Sequence, residues 1–372
     1  MRYLIAPDKF KGTMDAQEVA ETIAAGIRDF NPTVEVDILP LADGGEGTAA
    51  LLARYFGADR RVFETVDPLG RPIEAEVFIA RREAILDLSA ASGLWRVRVE
   101  EREPFRSNTY GTGKIIKYLI DNGLERIYVG LGGSATVDVG LGLGLALDYK
   151  FLGADQQLVQ PLPIWFSDIE RVEAPDLTQI PEVIGLADVE TLLTGPQGAI
   201  YTFGPQKGLT PTQIPTLDRT IAVLAARIDQ ALGTNFSTIP GAGAAGGFGY
   251  GILTFAKGRL ISGFNVIAEK VGLVDRMAVA DVVITGEGKL DSQSLHGKGP
   301  YGVAALARRL KKPIWALAGV IEDRDHLIAH FNRLSSLVSN EVTVEQALKN
   351  PVPILRRRAL EMCRSFAEAA AS

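Results

Sequence analysis

The segment 285–299, TGEGKLDSQSLHGKG, places Glu287, Lys289, Asp291, Ser292, His296 and Lys298 in one short polar stretch. Packing alone gives little reason for such density. Carboxylates and lysines together suit a bound anion and its counter-ion. The same chemistry recurs elsewhere. Lys9 and Lys11 flank Phe10 in APDKFKG; they are either solvated surface lysines or a clamp for an anionic substrate or phosphate. Asp43 and Glu46 are separated by two glycines in DGGEG. They suit a helix N-terminus, or Mg²⁺, which needs only one or two carboxylates besides substrate phosphates. Ser134, Thr136 and Asp138 in GGSATVD can cap a helix or meet a ligand. Lys207 closes FGPQKG, and Asp188 ends the apolar run EVIGLAD. Successive backbone amides in glycine turns form concave anion sites, and the carboxyl edge of a parallel sheet is where ligands bind.

One turn carries a misleading spelling. IPGAGAAGGFGYG contains G-x-G-x-x-G at Gly241, Gly243 and Gly246. A dinucleotide fingerprint follows a strand and is followed about 20 residues later by an acidic strand end. Here the preceding segment is polar and ends in proline, and no such acid follows. The turn therefore reads as a phosphate contact of another kind. A Walker A loop is absent, since LHGKGP lacks the earlier glycine and the later Ser/Thr. No G-x-S-x-G nucleophile elbow is present. His326 and His330 lack acidic or cysteine partners at ligand spacing and read as surface residues.

The elements that would position these residues follow from periodicity. RYLIA reads as a buried strand. DAQEVAETIAAGIRDF reads as a helix, with Val19, Ile23 and Ile27 on one face and Asp15 and Glu18 as a capping box. VEVDILPL is a second strand and GTAALLARYF a second helix, a βαβα beginning that implies a parallel sheet. RIYVGLGG, DVVITGEG and PIWALAG continue the pattern, with GVAALARRL as a helix. Thr343 and Gln346 can box the helix at VEQALKN. Between 61 and 90, two strands joined at Pro68–Gly70 and a third at EAILDLSA suit an antiparallel insertion. From 151 to 241 the pattern is irregular, apart from a helix over 212–232. The expected fold is α/β, a three-layer parallel-sheet (Rossmann/flavodoxin-like) main domain with a second inserted α/β domain. The main domain is expected over 1–60, about 105–150 and 270–372, and the second over about 61–104 and 151–269.

Composition is that of a soluble globular chain: 372 residues, 47% hydrophobic, 23% charged, net charge −6. With no basic block, nucleic acid and anionic membrane are excluded as main partners. The single cysteine, Cys363, cannot form an internal disulfide; it is expected in the packing of the last helix of a cytoplasmic protein. No signal h-region or membrane span is expected: Leu131–Leu147, the longest weakly polar stretch, carries Asp138.

Together the motifs resemble the class I glycerate kinases over nearly the full length. The stretches that carry the likeness are APDKFKG, ADGGEGT, DPLGRP, AASGL, YGTGK, GGSAT, GPQGA, FGPQKG, PGAGAAGG and TGEGKLDSQSLHGK, in that order. The resemblance implies two α/β domains with the site in a cleft. It also implies ATP and Mg²⁺ as co-substrates, D-glycerate as substrate and 2-phosphoglycerate as usual product, with 3-phosphoglycerate the alternative. Combined with the residue chemistry, it assigns catalysis to Asp188, as hydroxyl base, and Lys9. Substrate contacts fall to Lys11, Ser134, Asp138 and Lys207. Nucleotide contacts fall to Gly241, Gly243, Gly246, Gly247, Thr285 and Gly286, and metal to Asp43, Glu46 and Glu287. A homodimer is compatible with the sequence.

Two motifs depart from the family pattern. Asn-Asp-Gly-Gly is usual after GGSAT, where this chain has Val137, Asp138, Val139 and Gly140. Asp-Val-x-Asn-Pro-Leu is usual before the GPxGA turn, where this chain keeps Asp188 and Val189 but has Thr191 and Leu192. These changes leave open a non-catalytic or weakly active sensor of ATP and hydroxyacids. An NAD-dependent hydroxyacid oxidoreductase is the other class kept.

Overall fold

The computed structural model describes residues 1–42, 44–45, 47–176, 180–291 and 299–371. In chain order the N-terminal segment supplies strands β1 (Arg2–Ile5) and β2 (Glu35–Ile38). The middle of the chain supplies β3 (Asp59–Val66), β4 (Pro72–Ala80), β5 (Glu83–Asp87), β6 (Arg126–Gly130), β7 (Lys150–Leu152), β8 (Arg171–Glu173), β9 (Glu182–Leu186) and β10 (Arg259–Ile261). The last third supplies β11 (Val282–Leu290), β12 (Ile314–Ile321) and β13 (Arg333–Ser336). The chain divides into two compact units, Met1–Asp43 with Phe264–Ser372, and Gly44–Gly263.

The first unit is a five-stranded sheet in the order β13-β12-β11-β1-β2, every pair parallel. From β1 the chain steps to β2 on one side and later to β11 on the other, so strand order reverses between β1 and β11. The helices Ala16–Phe30 and Pro351–Ala371 share one core with Tyr3, Ile5, Ile284, Trp315 and Leu317 of the sheet. The first helix buries Val19, Ile23 and Ile27, and Asp15 accepts from the Glu18 amide at 2.8 Å. Cys363 is buried in the last helix, as expected, and burial raises its thiol pKa to about 11.

The second unit is a six-stranded sheet in the order β10-β9-β6-β5-β4-β3. Strands β10, β9, β6 and β5 are parallel; β4 and β3 extend the sheet antiparallel, as the 61–90 pattern predicts. β7 and β8 form a separate antiparallel ribbon. The expected domain boundaries differ from this division. Residues 105–150 were expected in the main unit, yet β6 pairs with β5 and β9 at the centre of the second sheet. The helix Thr48–Phe56 likewise packs on β4 and β5 of that sheet. A βα alternation looks the same whichever sheet the strands join, so periodicity alone could not make this distinction.

Gly26 lets the two long helices of the first unit approach closely. A Cβ there would collide with the Arg356 carbonyl and lie 2.8 Å from the Ala359 Cβ. Gly26→Val is expected to cost about 2 kcal/mol by overpacking, read as a drop in melting temperature; an unchanged melt would contradict this packing.

Candidate active site

In the first unit, the ends of β1, β11, β12 and β13 surround a cavity of 370 Å³. Its lining includes Asp8, Lys9, Lys11, Glu287 and Lys289 on the polar side, with Leu337, Val338, Val344 and Leu348 on the apolar side. It lies at the carboxyl edge and takes residues from both strands at the order reversal, the place where open α/β sheets bind ligands. The turn after β1 is locked by bonds between Phe10 and Met14 and by Thr13 Oγ1 to the Phe10 carbonyl at 2.9 Å. Phe10 is buried beneath it, leaving Lys9 half-buried and Lys11 exposed. Asp8 donates its amide to the Gly286 carbonyl at 2.8 Å, fixing the turn to β11. A side chain at Gly319 would strike the Gly288 carbonyl, so these two glycines let the strand ends and the lysine turn converge. Lys289 pairs with Glu322 at 2.9 Å and Asp291 at 3.2 Å, which together raise its pKa.

In the second unit, Asp188 follows β9 at the carboxyl edge and accepts from Ser262 Oγ at 2.6 Å. Asp87 ends β5 on the same edge. Its carboxylate accepts from the amides of Gly47 at 2.8 Å and Ala49 at 3.0 Å. It thereby caps the helix Thr48–Phe56, whose own N-cap residue, Gly47, has no side chain.

Three glycine-rich loops of the second unit meet around one buried lysine amine. Lys207 is 2% exposed; its Nζ donates to the Thr136 carbonyl at 2.6 Å and to Ser134 Oγ at 3.2 Å. Ser134 in turn donates to the Ala245 carbonyl at 3.0 Å, so FGPQKG, GGSAT and PGAGAAGG are joined in series. Burial pushes the Lys207 pKa down to about 7, opposed by the charge of Asp138. Asp138 is 0% exposed and its Oδ2 accepts from Thr109 N, Thr109 Oγ1 and Gly142 N. Burial raises its carboxyl pKa against those bonds.

The glycine turn itself serves this packing. A Cβ at Gly246 would strike the Thr136 carbonyl and lie 2.6 Å from Lys207 Nζ; one at Gly247 would lie 2.6 Å from Val139 Cγ1. Gly241 and Gly243 donate their amides to the Thr191 carbonyl at 3.2 and 3.0 Å, and Gly247 donates to Gly243 at 3.2 Å. Of the glycines expected to contact phosphate, Gly241, Gly243 and Gly247 thus have amides already bonded within the chain, and Gly246 abuts the Thr136 carbonyl and Lys207. No strand precedes the turn; the 3₁₀ segment Phe236–Thr238 does.

Of the residues singled out in the sequence, Lys9, Lys11 and Glu287 come together at one cavity, while Ser134, Asp138 and Lys207 gather in one buried network. Thr285 is fully buried and donates to the Ala6 carbonyl at 2.8 Å, and Gly286 abuts the Leu317 carbonyl, so both belong to the sheet interior. Asp43, Glu46, Ser292, His296 and Lys298 lie outside the described residues. Asp8 and Asp87 were missed; their signal was an aspartate at the end of an apolar run, as at Asp188. Among the described residues no group of three or more His, Cys, Asp or Glu is placed to hold a metal ion, and no helix is long and apolar enough to cross a membrane.

Two predictions follow from the network. Val139 is β-branched yet has φ +48°, where glycine is favoured. Val139→Gly should therefore melt no lower than Val139→Ala, although Ala is ordinarily the more stable by about 1 kcal/mol; the ordinary order would contradict strain at this site. For Lys207, the unfolded ammonium holds its proton up to 10.5 whereas the folded one releases it near 7. The unfolded state binds more protons across that window, so stability rises with pH by at most about 1.4 kcal/mol per unit. Urea melts from pH 7 to 9 should show Lys207→Met lacking this increment relative to the parent; parallel curves would contradict a neutralised buried lysine.

The comparisons with known proteins agree with one another. A profile of the Glycerate kinase family matches residues 3–367. A glycerate kinase of Bacillus subtilis (strain 168) is 37% identical, aligned over 98% of each chain. A glycerate 2-kinase of Escherichia coli (strain K12) is 36% identical over 91% of this chain and 90% of its own. A solved structure of a glycerate kinase 2 candidate from Salmonella typhimurium LT2 superposes with a TM-score of 0.81 at 34% identity, over 100% of this chain and 99% of that one. With the profile running almost end to end and relatives above one-third identity matched over 90% or more of their own lengths, the chain belongs to the glycerate kinase family.

Proposed function

We propose that this chain catalyses ATP-dependent phosphorylation of D-glycerate to 2-phosphoglycerate. The observation that carries the reading is the lysine-lined cavity at the strand-order reversal, in a chain of this family. Phosphoryl transfer asks for positioning and charge stabilisation more than covalent chemistry. A substrate hydroxyl oxygen bonds to the γ-phosphorus, the bond to the β–γ bridging oxygen breaks, and ADP leaves with that electron pair. Lys9 and Lys11 stabilise the charge on the phosphoryl oxygens. Asp188 accepts the hydroxyl proton, with Ser262 holding its carboxylate in one orientation.

Asp8 and Glu287 line the same cavity as the lysines, a hard oxygen donor set that fits Mg²⁺ alongside phosphates. When bound, the ion neutralises phosphate charge. Lys207, Ser134 and Asp138 act in this reading as the frame that sets the glycine loops.

The test is Mg²⁺-dependent ADP release with D-glycerate, with L-glycerate and no acceptor as controls, and the product identified by ³¹P NMR. Turnover confined to D-glycerate with a 2-phosphate product supports the reading. ATP binding without turnover would favour a sensor, and NAD reduction without ATP use an oxidoreductase. Asp188→Asn is expected to lower kcat by about 10²–10⁴-fold with the fold retained; an unchanged kcat would remove Asp188 from the role of base.

A further inference from the structure

We propose that the cavity of the first unit is a purine-nucleotide site, with the base against Leu337, Val338, Val344 and Leu348 and the phosphates toward Lys9 and Lys11. The proposal rests on the ATP-dependent reading and adds where the nucleotide sits and which of its faces is recognised. Three observations carry it.

The first is size. At 370 Å³ the cavity falls within the range of small-molecule sites, which is generous for a three-carbon acid. The second is polarity. Part of the lining is apolar and part carries lysines, which matches a ligand with a flat apolar end and an anionic end. Glycerate has no apolar surface to lay on that wall.

The third is the helix Val344–Lys349, which supplies part of the wall. Val344 and Leu348 stand one turn apart and are 51% and 59% exposed. The helix is not loosely placed. Thr343 and Gln346 form the full capping box, with Gln346 N donating to Thr343 Oγ1 at 3.2 Å and Thr343 N to Gln346 Oε1 at 2.9 Å. Ala347 is buried in the core shared with the two long helices. A fixed helix that buries its alanine and presents Val344 and Leu348 to a cavity is positioned for a ligand, since the core does not use that pair.

The experiment measures binding to the full chain by calorimetry with three probes: ATP, adenosine and inorganic tripolyphosphate. The double variant Val344→Asn/Leu348→Gln keeps the charge and replaces the two apolar side chains with polar ones. It is expected to weaken ATP and adenosine at least 10-fold, to leave tripolyphosphate within twofold, and to leave KM for D-glycerate unchanged. Lys11→Gln is expected to weaken ATP and tripolyphosphate and spare adenosine. Should the double variant melt early, the single Leu348→Gln at an exposed position carries the same comparison. ATP binding to the parent that is unaffected by these changes would overturn the nucleotide placement and leave the kinase reading intact. No nucleotide binding by the parent would overturn both.

Discussion

A lysine amine with almost no access to water sets the local structure of the second unit. Lys207 reaches the Thr136 carbonyl and Ser134 Oγ, and Ser134 passes the connection to the Ala245 carbonyl. Taking a lysine out of water is unfavourable unless it is well bonded, and here the bonds go to loops that have few side chains of their own to hold them. The glycines follow from that demand: at Gly246 a side chain would occupy the space where Lys207 Nζ and the Thr136 carbonyl meet. Asp138, equally buried, binds the starts of the helices Tyr110–Asp121 and Leu141–Ala146 through Thr109 and Gly142. A lysine and an aspartate thus order three glycine-rich loops and two helix starts.

The consequence is a division of labour among glycine-rich segments that look alike on paper. Those at 286–288 and 319 bring strand ends together at a cavity bearing lysines and carboxylates. The turn at 241–247 brings protein against protein, and the amides of Gly241, Ala242, Gly243, Ala244 and Gly247 are bonded to carbonyls of the chain. Both need glycine because both need close approach, and only the neighbours reveal what is being approached.

Much of the fold was legible. Strands β1, β2, β6, β11 and β12, the helix with Val19, Ile23 and Ile27, the antiparallel pair before residue 90 and the capping box at Thr343 all follow from local periodicity and capping chemistry, which are written in neighbouring residues. Sheet membership was not, because whether β6 pairs with β1 or β5 depends on contacts far apart in sequence. Of the site, the grouping of Lys9, Lys11 and Glu287 was anticipated from their positions at strand ends. The burial of Ser134, Asp138 and Lys207 was not: a polar residue beside glycine spells the same whether it faces a ligand or another loop. Val139 shows the converse. Its place in a motif where glycine is usual signalled a departure, and the positive φ gives that departure a physical content.

The central claim is that phosphate recognition belongs to the lysine-bearing cavity and that the glycine turn is scaffold. Amide hydrogen exchange with and without ATP tests it directly. The account predicts that ATP protects 8–13, 286–289 and 337–348, while the amides of 241–244 and 247 keep the slow exchange their internal bonds already confer and those of 245 and 246 gain no protection. New protection concentrated in 241–247, with none at 8–13, would contradict it.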